Sequence, residues 1–389
     1  MNLRKAGRSM ILPAALAAMT FSAGAQAGSA SFGDFDLTYG GYIKLDALYS
    51  DYSDGNPPGG SIGRDWYVPS TTPIGGDSQD GVFDMHAKQS RFWLATATEI
   101  GEHKVGSRIE MDFMVSGQGN ERVSNSYSPR VRHAFLTYDN WLFGQTWSVF
   151  QNPGALPDTV DFIGPSESTI FVRQAQARYT TGPWAFALEN AETTIYAPGG
   201  AFYNSGSNSL PDLTGRYNYV ADWGNIYIAG LLRQLKSDES FSNSNEDDTG
   251  YGISVSGKIN VFERDDIRFM ASAGTGLGRY IGLNYAAGAS QSANGDISAL
   301  DSWGAFAAYR HVWNDEWRSS VVYGYLDVDN DTASGNGVRE TAYSVRGNLI
   351  FSPVKQLSFG FELSYANSEN AAGDDGDFTR GQLMAKYAF

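Results

Sequence analysis

The amino-acid sequence predicts an all-β fold, a transmembrane antiparallel β-barrel of sixteen strands in a single domain. Three observations carry this expectation. Segments of about ten residues alternate apolar with polar side chains, the pattern of a tilted membrane-spanning strand. The connections between them are short and long by turns. An alternating strand ends the chain on an aromatic residue, Phe389.

In chain order, the first segment is not part of the fold. Arg4, Lys5 and Arg8 form a basic head, and residues 10–21 are an apolar run. That run falls short of the roughly 20 residues a membrane-crossing helix needs. Ala25-Gln26-Ala27 then fits the small-x-small rule of a signal-peptidase site. Residues 1–27 are therefore expected to be a cleaved signal peptide and 28–389 a single barrel domain in the outer membrane of a Gram-negative cell. The alternative is a short membrane anchor, which the length of the run and its Ala-rich flank disfavour. Every later apolar stretch is broken within a few residues by Gly, Ser or a charge, which excludes a helical membrane protein. The chain has no cysteine, so an exported product folds without disulfides. An aromatic content of 14% with 45 glycines suits a barrel with aromatic girdles. The formal charge of −15, more acidic still without the basic head, argues against nucleic acid as a partner.

The strands are expected near 35–49, 83–99, 103–116, 129–139, 141–150, 171–181, 184–193, 212–221, 224–236, 250–261, 266–277, 299–313, 317–328, 340–351, 357–367 and 378–389. Val105, Ser107, Ile109, Met111, Phe113 and Val115 share one face of the third, against Lys104, Arg108, Glu110 and Asp112. Leu357, Phe359, Phe361, Leu363 and Tyr365 do so near the end, opposite Ser358, Gly360, Glu362 and Ser364. Eighteen strands is the competing count, because residues 278–287 could supply extra pairing. An even number puts both termini on the periplasmic side. Tight turns such as Ala221-Asp222-Trp223-Gly224 and Trp313-Asn314-Asp315-Glu316 alternate with long polar loops at 237–249, 278–298, 327–339 and 368–377. In the last strand Leu383, Tyr387 and Phe389 share a face, the terminal pattern by which outer-membrane proteins are recognised for assembly.

Arginine facing lipid near the midplane costs about 2–4 kcal/mol, so each Arg within an apolar alternation is assigned to the lumen. The rule places Arg91, Arg130, Arg132, Arg178, Arg216, Arg268, Arg310, Arg318 and Arg346 inside, while most acids lie in loops. A basic wall around a wet lumen concentrates anions, and the planar guanidinium suits carboxylates and phosphates. The competing reading is that these arginines pair with inward Glu110, Asp112, Glu189 and Glu362 and brace the wall. Residues 151–170, between strands five and six, lack alternation and carry Pro153, Pro157 and Pro165 with Asp158, Asp161 and Glu167. A loop of about twenty unstructured residues is uncommon unless functional. It is expected to fold into the barrel as a constriction, its acids facing the arginines of strands two to four; an extracellular lid is the alternative. The candidate pore-lining set is thus Arg91, Arg108, Arg130, Arg132 and Arg178 across from Asp158, Asp161 and Glu167.

Other signals carry less. Asp327-Val328-Asp329-Asn330-Asp331 opens like a calcium loop but has Thr332 and Val338 where Gly and Glu are required. His86, His103, His133 and His311 are scattered without zinc-site spacing. No metal, cofactor or catalytic residue is expected. Weak divalent bridging from acidic loops to lipopolysaccharide fits the loop composition.

Three stretches, Gly40-Gly41-Tyr42-Ile43-Lys44-Leu45-Asp46-Ala47, Lys88-Gln89-Ser90-Arg91-Phe92 and Gly144-Gln145-Thr146-Trp147-Ser148, resemble the DcaP-like porins. The run Phe171-Val172-Arg173-Gln174-Ala175-Gln176-Ala177-Arg178-Tyr179 adds to the resemblance. It implies a homotrimeric sixteen-stranded channel for small carboxylates, dicarboxylates above all. The expected function is passive diffusion of small anions. A barrel enzyme of lipase or protease type and a non-conducting adhesive or structural barrel are the alternatives.

Overall fold

A computed structural model describes residues 28–33, 35–115, 119–120, 122–239 and 245–389; the signal-peptide segment 1–27 lies outside the described residues. The main sheet has 18 hydrogen-bonded segments. One is the short leading strand Gly28–Phe32, and two are halves of a single broken strand, which leaves sixteen around a closed wall. In chain order these are β1 (Phe35–Tyr52), β2 (Val82–His86 and Arg91–Ile100), β3 (His103–Asp112), β4 (Arg130–Tyr138), β5 (Trp141–Trp147), β6 (Arg173–Thr181), β7 (Trp184–Glu189) and β8 (Asp212–Ala221). Then follow β9 (Gly224–Lys236), β10 (Asp247–Val261), β11 (Asp265–Thr275), β12 (Asp301–Val312), β13 (Trp317–Asp329), β14 (Arg339–Val354), β15 (Leu357–Asn370) and β16 (Asp375–Ala388).

Each strand pairs antiparallel with the next, and β16 pairs with β1 from Tyr42↔Ala388 to Tyr52↔Phe378, which leaves the wall no free edge. Below that register the leading strand takes up β1 from Tyr39 to Phe35. Period-two alternation sets the two faces. On β16, Leu383 and Tyr387 are 58% and 52% exposed toward lipid, while Arg380 and Gln382 on the opposite face are 1% and 2% exposed. One rim carries short turns, such as the hairpin Thr181↔Trp184, where Gly182 takes φ 55° as a tight turn of this hand requires. The other rim carries the long connections.

Two of those long connections fill the barrel. Residues 148–172 leave β5, cross the lumen and bond the far wall: Val160 N donates to Glu362 on β15 at 2.9 Å, and Lys44 on β1 donates to the Val160 carbonyl at 2.7 Å. Residues 276–300 also turn inward, beside them, with Ile170 bridged to Ile281. Tyr280 holds this second loop by donating to Asp212 at 2.8 Å and accepting from Gln174 at 2.7 Å. The two loops and the inner faces of β9 to β14 share an apolar core that includes Phe150, Ile170, Tyr227, Leu231, Leu277, Tyr280, Phe306 and Leu326. Each large apolar side chain buried there contributes about 1.5–3 kcal/mol.

This corrects the reading of 278–298 as a polar surface loop. Ala289–Gln291 does pair, but with Ile297–Ala299 on one side and Thr194–Tyr196 on the other, in a separate four-stranded sheet completed by Phe202–Asn204. The added pairing therefore does not enlarge the barrel to eighteen.

Candidate functional site

The site is built by the strands around β1 and by their opposite numbers across the lumen. On β3, alternation turns Arg108, Glu110 and Asp112 inward. A β-bulge opposite Glu110 and Met111 lets β4 turn two successive side chains, Arg132 and His133, to the inside, each no more than 4% exposed. Glu110 then accepts from Arg108 at 2.6 Å and Arg132 at 2.9 Å and lies 3.5 Å from Arg91. Asp112 takes Arg132 at 2.7 Å and Arg130 at 2.9 Å. Four guanidinium groups share two carboxylates, so this ladder is internally bonded and still net positive.

A second ladder stands on β10 to β13. Asp266, 1% exposed, is ringed by Arg310 at 2.5 Å, Arg268 at 2.8 Å and Lys258 at 3.7 Å. Arg318 meets Asp158 of the inward loop at 2.6 Å. Between the ladders lies a cavity of ≈ 990 Å³, open toward the short-turn rim and roofed by residues 153–163 of the inward loop. Eleven lysines and arginines line it against five aspartates and glutamates. The aromatic rings of Tyr42, Trp93, Trp147, Phe162 and Trp317 lie among them.

Of the expected lining set, Arg91, Arg108, Arg132, Asp158 and Asp161 border this cavity. Arg130 lies at the loop end of β4 on Asp112, outside that lining. Arg178 is buried against Gln176 Oε1 at 2.8 Å and the Trp147 carbonyl at 2.6 Å, also outside it. The inward fold of the loop agrees with the expectation from its sequence, but the facing of its acids does not. Asp158 meets Arg318 on β13, and Asp161 meets Arg346 on β14 at 3.9 Å and accepts from the Tyr67 amide at 3.0 Å. Glu167 accepts from Ser344 on β14 at 2.7 Å. The loop crosses the lumen to the opposite wall, so the arginines of strands two to four satisfy themselves on β3 instead.

Glu167 is fully buried, and its Oε1 is packed where a side chain on Gly324 would otherwise stand. Its Oε2 has no well-formed hydrogen bond, with Tyr67 as neighbour. Burial pushes its carboxyl up to about 7, against the opposing pull of Arg346 and the Ser344 bond. Burial acts on Asp158 in the same direction, but the Arg318 guanidinium outweighs it and holds that carboxyl below its ordinary value.

Sequence reasoning missed Asp266, the first residue of an expected strand, although its place two residues before Arg268 put both on one face. It also missed the basic cluster as a pair of ladders on opposite walls, since strand order around a barrel says nothing of which loops cross it.

A closed sheet with lipid-facing apolar residues, a polar lumen and a loop folded across it defines an outer-membrane porin. The DcaP outer membrane protein family model matches residues 37–389, and the chain belongs to that family. The outer membrane channel DcaP of Acinetobacter baumannii is similar at 26% identity and TM-score 0.78, over 94% of this chain and 100% of that one. An anion-selective porin from Comamonas acidovorans shares the fold at 10% identity and TM-score 0.54, over 92% of this chain and 100% of that one. OmpF of Salmonella typhi, in complex with daunomycin, does so at 10% identity and TM-score 0.55, over 93% and 100%. No curated protein sequence matches the chain.

Proposed function

We propose that this porin passes small anions by passive diffusion, with carboxylates and dicarboxylates as its solutes. One observation carries the reading: the lining of the cavity holds more than twice as many basic as acidic side chains. In a space narrower than the Debye length of about 8 Å, the excess positive field is poorly screened and raises the local concentration of anions. The guanidinium forks of Arg91, Arg108 and Arg132 on one wall, and of Arg268, Arg310 and Arg318 on the other, match carboxylate geometry. The anion-selective porin from Comamonas acidovorans that shares the fold supports anions as the class; carboxylates, a homotrimer, export through residues 1–27 and a membrane rich in lipopolysaccharide complete the proposal. The same relatives, all channels or porins, weigh against enzymatic turnover, and no role is given to His133, whose Nδ1 bonds Thr146 Oγ1 at 2.9 Å.

The test is the reversal potential of purified protein in a planar bilayer under a potassium chloride gradient. An anion-preferring sign is expected, with succinate reducing single-channel current. A cation-preferring sign sinks the reading.

A further inference from the structure

On the wall between the two ladders, Lys386 of β16 is the direct cross-strand neighbour of Lys44 on β1, and both point into the cavity. Like charges placed directly opposite destabilise a sheet, so the pair calls for an explanation. Lys44 is relieved: its ammonium group meets Asp46 at 2.9 Å, Gln89 Oε1 at 2.9 Å and the Val160 carbonyl at 2.7 Å. Lys386 is not. Among the described residues no carboxylate lies within 4.0 Å of it, whereas every other basic side chain that a barrel strand contributes to this lining has one. Its ammonium instead sits 4.4 Å over the Tyr42 ring, and Arg91 sits 5.1 Å over the same ring. An aromatic face positions a cation without neutralising it. Of the basic side chains that the described barrel strands give this cavity, Lys386 is therefore the one partly buried ammonium group with no carboxylate in contact, and it stands beside a guanidinium.

We infer that Lys386, flanked by Arg91 across the Tyr42 ring, is the docking residue for the oxyanion group, carboxylate or phosphate, of a small solute in this cavity. The inference rests on the anion-preferring reading above and names the residue that makes the contact. The ladder cations create the field but each already has a carboxylate within 4.0 Å, Glu110, Asp266 or Asp158. Lys386 has donors to give, and an arriving oxyanion relieves its repulsion with Lys44.

Pyridoxal 5′-phosphate tests this on the full protein in detergent micelles. Its aldehyde carbon condenses with the neutral Lys386 amine, forming C=N with loss of the carbonyl oxygen as water. Hydride from added borohydride then fixes the imine as a secondary amine, which peptide mass spectrometry locates. Lys104, exposed on β3 next to a short turn and outside the cavity lining, serves as the internal control. Modification of Lys386 is expected to fall in the presence of inorganic phosphate or acetate while that of Lys104 does not; protection by one anion alone assigns the site to that chemistry. Equal behaviour of the two lysines overturns the inference. In bilayers, Lys386→Gln is expected to weaken block by inorganic phosphate about tenfold, the factor worth about 1.4 kcal/mol, and Lys386→Arg to retain it. Unchanged block in a folded Lys386→Gln channel also overturns it. The labelling arm uses the unmutated protein and so survives a variant that fails to fold. A cation-preferring channel whose Lys386 is still protected removes the functional reading and leaves the docking residue. An anion-preferring channel with unprotected Lys386 does the reverse.

Discussion

Raising the pH should loosen the inward loop from the wall through Glu167, and the size of the effect follows from its burial. The carboxyl has an ordinary value of 4.5 and is pushed up to about 7 where the loop is docked. Below pH 4.5 it is protonated whether the loop is docked or free. Between 4.5 and 7 only the freed loop ionises, so docking weakens as pH rises. Above about 7 the docked carboxyl ionises as well and the loss levels off. At about 1.36 kcal/mol per pH unit, the window costs about 3 kcal/mol, on the order of a hundredfold in the docking equilibrium. The groups around it are fixed in number: Tyr67 from the loop after β1, Ser344 and Arg346 from β14, with Asp161 and Glu362 beyond Arg346. Hydrogen–deuterium exchange of residues 165–170 between pH 5 and 8, corrected for intrinsic rates, reads the docking directly. Protection is expected to fall with pH in the unmutated protein and to stay flat in Glu167→Gln, which keeps the acceptor for Ser344 but cannot ionise. Parallel profiles for the two proteins would refute the reasoning.

Three further outcomes are expected. Gly324→Ala puts a methyl group against Glu167 Oε1 and 2.7 Å from Ser168 Oγ. Overpacking of about 1–3 kcal/mol should raise exchange across 165–170 with the barrel intact by gel mobility, while Gly347→Ala, with nothing within 4 Å, should not. Arg268→Gln with Arg310→Gln leaves Asp266 only Lys258 at 3.7 Å and should shift the reversal potential toward cations; an unmoved potential would make that ladder purely structural. Tyr280→Phe removes the hydroxyl that joins Asp212 and Gln174. Leaving buried partners unsatisfied costs about 1–3 kcal/mol, which should appear as faster exchange in residues 276–300.

Most of the fold was legible in the sequence because barrel strands obey a local rule. Leu383 and Tyr387 against Arg380 and Gln382 settle a face without reference to any other strand, and Gly182 or Asp222 marks a turn by composition alone. The inward path of residues 148–172 was legible too, from prolines and acids with no alternation. What the acids would meet was not. Asp158 and Arg318 are 160 residues apart, and their contact depends on how far the loop reaches across the lumen. The β4 bulge escaped for a related reason: Arg132 and His133 facing the same way breaks the period that made the strand recognisable. Residues 276–300 looked polar because Gly, Ser and Asn interrupt them throughout, yet Leu277, Tyr280, Ile281 and Tyr285 are spaced to reach an apolar wall. That wall, inward Tyr227, Leu231, Phe306 and Leu326, was visible only as strands greasy on both sides.

Those doubly greasy strands divide the molecule's tolerance for change. Toward the long-loop rim, β9 to β14 close on a packed apolar interior, and trimming residues 276–300 would open Leu231, Phe306 and Leu326 to water from within. The exposed tip at 372–374 bears no such duty and is the place where a foreign epitope or tag could be grafted without disturbing conduction.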